Sequence, residues 1–171
     1  VNRYLNHIRG YQASSVVKNK GTAMLRYEGP MTNEKAKLRE PELAEEVLSN
    51  ADATEWTFKI RKGVEFHDGK TLTADDVIYT MNRHLGKDSI SNASSLVGMV
   101  KEWKKVNDYE VKAILSSPNA DLPIALGTFH FKIVKDGTED FSTAVGTGPY
   151  KCKEFKPGVR AIAVRNENYY T

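Results

Sequence analysis

The chain has 171 residues, 40% of them hydrophobic, enough to bury one real core, and its net charge of +3 comes from 25 basic and 22 acidic residues with neither sign gathered in a long block. A single cysteine, Cys152, excludes an internal disulfide and a CxxC metal site, and no apolar run reaches the roughly eighteen residues that span a bilayer. The densest basic stretch, Lys101 to Lys105, includes Glu102 and Trp103 and reads as a solvated strand face ahead of a polyanion site, so nucleic acid is not an expected partner.

Val1, Leu5 and Ile8 recur at helical spacing before Gly10, and the opening VNRYLNHIRG lacks the apolar core of a signal peptide. Val16, Val17, Met24 and Tyr27 continue as a helix with a broken middle or as two short pieces, stopped by Gly29-Pro30. Residues 1–40 are therefore expected to form an N-terminal helical segment, and residues 41–171 a small mixed sheet with flanking helices. Beyond Pro41 the runs LAEEVLSN and TEWTFKI, separated by Asn50-Ala51-Asp52-Ala53, predict two strands and a short connection. Trp56, Phe58 and Ile60 share one face of the second and Glu55, Thr57 and Lys59 the other, as a half-buried strand requires.

Gly63 and Asp68-Gly69 supply the positive-φ positions of tight turns. Thr73 then caps a helix, because Thr73-Ala74-Asp75-Asp76 has capping-box spacing and places two acids at the positive end of the helix dipole. Val77, Ile78, Met81 and Leu85 form its buried stripe. VKEWKKV and YEVKAIL read as a hairpin with Asn107-Asp108 as its two-residue turn. Asp121 starts a short helix with Pro123 in its first turn and Gly127 past its end. Phe129, Phe131 and Ile133, and later Tyr150/Cys152 and Ala161/Ala163, alternate as strands around a glycine-rich turn at 146–148. One small sheet drawn from residues 42–60 and 100–165, flanked by the Thr73 helix, is the expected architecture.

Little in this layout carries bond-breaking chemistry. Asp75 and Asp76 are neighbours on a helix and do not face one another across a substrate, so capping is their expected role. His67 lies in a turn and has no HxxxH or HxH spacing to His7, His84 or His130; a structural histidine bonding loop backbone is the favoured reading, with a metal site from distant histidines left open. Gly146-Thr147-Gly148-Pro149 lacks the Lys-Ser/Thr of a phosphate loop and precedes a strand. No GxSxG elbow is present and Cys152 sits in a strand-like setting, so neither an enzyme nor a cofactor is expected.

Thr57 to Arg83, TFKIRKGVEFHDGKTLTADDVIYTMNR, resembles the segment shared by the periplasmic solute-binding proteins of peptide and nickel ABC importers, the dipeptide- and oligopeptide-binding family 5, whose pattern FxLRxGVxFHDGxxLTAxDVxYxxxR it follows. Tyr27-Glu28-Gly29, Pro41-Glu42-Leu43-Ala44-Glu45, Gly146-Thr147-Gly148-Pro149-Tyr150 and Arg165-Asn166-Glu167-Asn168-Tyr169-Tyr170 extend the likeness in the same order along the chain. The resemblance implies an α+β, mixed α/β fragment of the larger lobe of a two-lobe periplasmic binding protein type II fold, with the second lobe absent. The strand-like run just before Thr171 points the same way, to a piece of a longer protein.

On the same resemblance, an exported, periplasmic protein captures a peptide or related small solute in a cleft and delivers it to an inner-membrane ABC permease. Its hinge closes because ligand contacts both lobes in the closed state, so one lobe alone is expected to bind weakly or not at all. His67, Asp68, Gly69, Thr73 and Asp76, with Gly146, Gly148, Pro149 and Tyr150, are implied as structural motif positions, the latter set close to the hinge. The nickel-binding relatives keep a metal-chelate ligand as a minor alternative for His67. Phe129, His130 and Phe131 are implied as a cleft wall, set against plain core burial of the two phenylalanines. The rival expectation from another class is an independent interaction module whose exposed strand edges pair with a partner or a second copy.

Overall fold

The computed structural model describes residues 25–26, 40–41, 43–86, 89–128, 130–140, 145–156 and 159–170. The helical segment expected over 1–40 lies outside the described residues except at two places, and there the backbone is extended: β1 (Leu25–Arg26) pairs antiparallel with β2 (Glu40–Pro41). Leu25 and Arg26 therefore depart from the helical reading of Ser14 to Tyr27, because pairing with a strand fourteen or more residues on overrides a weak local apolar spacing.

Four antiparallel strands make the main sheet in the order β3-β4-β6-β5: β3 (Ala44–Ser49), β4 (Glu55–Ile60), β5 (Val100–Asn107) and β6 (Glu110–Leu115). The β3–β4 connection closes as its polar residues demand, with Asn50 Oδ1 accepting the Thr54 and Glu55 N–H groups at 2.9 and 3.0 Å. Phe58 and Ile60 are buried on the face that the alternation predicts, opposite Lys59. Phe58 meets Trp103 of β5 with ring centroids 5.8 Å apart, joining two strands across the intervening β6. On the outer face, Lys59–Glu46 and Lys112–Glu55 pairs run across neighbouring strands in open solvent.

The β5–β6 turn falls one residue later than expected. Asn107 pairs with Glu110, so Asp108 and Tyr109 form the two-residue loop. A register irregularity between Lys105 and Asn107 shifts the strand, and Asn107 Oδ1 accepts the Tyr109 N–H at 2.9 Å, turning the chain after Asn107 instead of on it.

The helix α1 (Ala74–Asn82) packs on β5 and β6 with Thr73 as its N-cap, as the capping-box spacing predicts. Val77 and Met81 are buried, while Ile78 and Leu85 pack half-buried at the core's margin. The short helix α2 (Leu122–Leu126) runs from the Asp121 cap to Gly127, also as predicted.

Two strand expectations are corrected. Residues 130–135 form no strand element, although Phe131 and Ile133 are buried in alternation. Lys132 makes only an isolated bridge there, and helix side chains hold the residues that follow: the Thr80 hydroxyl accepts the Val134 N–H at 2.9 Å, and Asp76 accepts the Asp136 N–H at 2.8 Å. Secondly, β7 (Tyr150–Lys156) and β8 (Arg160–Arg165) pair with each other as a separate antiparallel ribbon and do not extend the four-stranded sheet. The ribbon is joined to the rest through loop contacts, among them Lys151 Nζ to the His67 carbonyl.

Candidate functional site

Three stretches singled out in the sequence, FHDG, GTGPY and the Asn-rich run at 166–168, meet in one place. The FHDG loop is self-supporting: the Phe66 N–H donates to the Lys70 carbonyl and the Gly69 N–H to the Phe66 carbonyl, each at 2.8 Å. Gly69 sits at φ 88°, where a side chain is strained, which is why glycine closes the turn. This loop presents His67 to residues 146–148, where the His67 N–H donates to the Gly146 carbonyl at 2.8 Å and the Gly146 N–H returns a bond to His67 Nδ1 at 3.2 Å. The other ring nitrogen, Nε2, lies 2.9 Å from the Gly148 carbonyl oxygen. A backbone N–H can only donate and a carbonyl only accept, so these partners select the neutral imidazole with its proton on Nε2.

Asn166, 4% exposed, holds the same segment from the opposite side. Its Nδ2 donates to the Gly148 carbonyl at 3.1 Å, its backbone N–H to the Pro149 carbonyl at 2.8 Å, and its Oδ1 accepts the Asn168 N–H at 3.3 Å. Lys151 Nζ, one residue into β7, donates to the His67 carbonyl at 3.2 Å. Asn166 is visible in the sequence only as a member of the 165–170 run; its bonds to Gly148 and Pro149 appear once β8 returns alongside β7, and Asn168 Nδ2 then reaches Glu65 beside the FHDG loop at 3.4 Å. Tyr150 opens β7 opposite Arg165 and is 38% exposed, while Gly148 is buried and Pro149 half-buried.

Below this junction the loop is anchored by two acids. Asp68 pairs with Lys135, whose hydrogen bond holds the Asp68 carboxyl below the usual carboxylate range. Asp76 is fully buried: Oδ2 accepts the Thr73 N–H at 2.9 Å and the Thr73 hydroxyl at 3.2 Å, while Oδ1 accepts the Asp136 N–H and pairs with Lys70. The carboxylate thus does more than cap α1, since it also fastens the 134–138 segment and the end of the FHDG loop to the helix start. Asp75 beside it is exposed and pairs with Lys105 at 2.8 Å, so the two acids do not converge on a common point.

Of the three residues implied as a cleft wall, Phe129 lies outside the described residues. His130 is exposed. Phe131 is fully buried, which favours plain core burial over the cleft wall. The His84 ring stands edge-on to Phe131 with centroids 4.8 Å apart, and His84 Nδ1 is 2.6 Å from Ser91 Oγ. Burial, followed by the Arg83 and His130 charges, pushes His84 from 6.5 down to about 4. The folded state therefore refuses a proton that the unfolded chain accepts, and stability present in full above pH 6.5 is lost as pH falls toward 4. Discounted for partial exposure, about 1–2 kcal/mol is at stake. Urea unfolding at pH 7 and pH 4.5 measures it, and His84→Gln is expected to flatten that part of the pH dependence.

Both ring nitrogens of His67 are engaged by backbone, and among the described residues no three His, Cys, Asp or Glu side chains converge as metal ligands. A hollow of about 390 Å³ on the outer sheet face is lined by Glu55, Lys104, Lys105, Val106, Lys112 and Ile114. Lys105 and Lys112 already pair with Asp75, Asp108 and Glu55, which makes this a charge-laced solvent face.

The chain is a mixed α/β scaffold whose three motif stretches meet through hydrogen bonds from the His67 and Asn166 side chains. The profile of the bacterial extracellular solute-binding proteins, family 5 Middle, matches residues 39–171, and the chain belongs to that family. The oligopeptide-binding protein AppA of Bacillus subtilis is 34% identical over 140 residues, covering 75% of this chain and 26% of that protein. The dipeptide-binding protein of Escherichia coli is 29% identical over 148 residues, covering 70% of this chain and 28% of that protein. Among solved structures, AppA in complex with a nonapeptide superposes with a TM-score of 0.73 and 30% identity, over 86% of this chain and 31% of that one. The chain thus spans about a quarter to a third of the length of these relatives.

Proposed function

We propose that this chain serves as part of the solute-binding component of an ABC importer, which captures a peptide or related small solute outside the cytoplasmic membrane, in the periplasm, and passes it to a membrane permease. Residues 1–40 and 41–171 both belong to the first of two lobes in this reading, and no catalytic step is involved. The observation that carries it is the family membership together with the likeness to a structure holding a nonapeptide. In this reading the protein works by hinge closure, and the bonds at His67 and Asn166 tie three stretches of the first lobe together. Differential affinity for the closed state drives such closure, and the ligand contacts that supply it come from both lobes.

The test is to express the full open reading frame that contains these residues and to follow its thermal midpoint with a di- to nonapeptide library. At a ligand concentration of 100 Kd, stabilisation of about 2.7 kcal/mol is expected for the full-length protein. The 171-residue chain alone is expected to show no shift. Absence of any shift for the full-length protein across the library overturns the reading.

One observation favours a second reading, an interaction module acting through strand edges. Ile162 and Val164 of β8 are 36% and 42% exposed, on a two-stranded ribbon that no third strand joins among the described residues. Light scattering across a hundredfold concentration range separates the two: a monomer throughout removes self-pairing, and a concentration-dependent dimer abolished by Ile162→Lys supports it.

A further inference from the structure

We propose that His67 is a proton-operated latch: the neutral ring holds the Gly146 N–H, and protonation at Nδ1 releases that N–H while the hold on Gly148 persists. This goes beyond the solute-binding reading and does not depend on it. Nδ1 accepts the Gly146 N–H at 3.2 Å, and a backbone N–H cannot reverse its direction. A proton arriving on Nδ1 sets two donors against each other and ends that bond. At Nε2 the effect is opposite, because an imidazolium N–H donates more strongly to the Gly148 carbonyl oxygen 2.9 Å away. Asn166 Nδ2 holds the same oxygen at 3.1 Å and the Asn166 N–H holds the Pro149 carbonyl at 2.8 Å, both independent of the proton. The Gly146 N–H is therefore the one contact that the proton frees, while the His67 N–H keeps its bond to the Gly146 carbonyl at 2.8 Å and Gly148 stays held.

Residues 145–149 carry no titratable side chain, and Asn166 and Asn168 are neutral. From the FHDG loop, Asp68 is taken by Lys135, Lys70 by Asp76, and Glu65 accepts from Asn168 Nδ2 at 3.4 Å. From β7, Lys151 places its ammonium on the His67 backbone carbonyl, not on the ring.

Nitrogen NMR of the histidine-labelled chain, with amide exchange measured from pH 8 to pH 4.5, tests the latch. The expected neutral tautomer carries its proton on Nε2. Below the His67 titration midpoint, protection of the Gly146 amide should fall about tenfold per pH unit, the slope for uptake of one proton, while the His67 amide, bonded to the Gly146 carbonyl, keeps its own. The Asn166 amide and the Phe58 amide of β4 should keep theirs. In His67→Asn, whose side-chain oxygen sits near the Nδ1 position and accepts at every pH, Gly146 protection should lose its pH dependence. A proton found on Nδ1 in the neutral wild-type ring overturns the proposal. So does Gly146 protection that stays constant through the His67 titration, or that falls in step with Phe58 and so reports only global unfolding.

Discussion

Asp76→Ala is expected to destabilise the chain by about 4 kcal/mol, while Asp75→Ala, one residue away, changes stability by no more than about 0.5 kcal/mol. The difference follows from what each carboxylate holds. Asp76 is fully buried and satisfies the Thr73 N–H, the Thr73 hydroxyl and the Asp136 N–H, in addition to pairing with Lys70. Removing it strands two backbone donors at about 1–3 kcal/mol each and deletes half of the capping box, worth about 1 kcal/mol. Lys70 recovers part of its loss by turning to water, since its side chain is 41% exposed. Asp75 has only the helix dipole and a solvent-exposed pair with Lys105, contributions of a few tenths of a kcal/mol. Asp76→Asn should fall between the two, because its amide oxygen can still serve one side while its NH₂ faces donors on the other. Urea unfolding of the three variants at neutral pH checks this, and equal losses for Asp75→Ala and Asp76→Ala would show that the buried network is not what Asp76 supports.

Asp76 also shows where sequence reading reaches its limit. The capping role was legible because Thr73 and Asp76 are three residues apart, and local spacing is all that such a motif needs. The bond to Asp136 was not, since it spans sixty residues and depends on a segment that forms no regular element. The same division runs through the chain. Strands β3, β4 and β6 and helices α1 and α2 followed from alternation, stripe and cap signals, and the FHDG turn from Asp68-Gly69. The β5–β6 turn slipped by one residue because two adjacent polar residues offered two equivalent places to turn, and only the strand irregularity near Lys105 decides between them. At the junction, His67 and Gly148 were visible as motif members, but their convergence required the return of β8 to bring Asn166 alongside. The strand expected around Phe131 and Ile133 is reduced to an isolated bridge at Lys132 for a related reason: alternation of burial is compatible with any extended segment, and Thr80 and Asp76 take the N–H groups of Val134 and Asp136.

Phe131→Ala is expected to destabilise the chain by about 3–4 kcal/mol, the cost of emptying a fully buried aromatic site. Phe131→Leu should recover most of that, leaving a loss of about 1–1.5 kcal/mol, because it restores apolar volume without the ring. His130→Ala, on an exposed neighbour, should change stability by no more than about 0.5 kcal/mol. The comparison bears on function as well as folding. A cleft-lining aromatic is partly open to solvent in the unliganded state, so its removal weakens ligand binding more than it weakens the fold. A core aromatic does the reverse, and Phe131, enclosed between the His84 ring at 4.8 Å and the His130 ring at 6.4 Å, is placed as a core residue. Losing it also removes the apolar wall that helps keep the His84 ring neutral, so Phe131→Ala should raise the His84 midpoint from about 4 toward its ordinary value of 6.5. Both effects are read on the same samples, by urea unfolding and by histidine NMR. A stable Phe131→Ala chain with an unmoved His84 midpoint would put Phe131 back on the cleft wall.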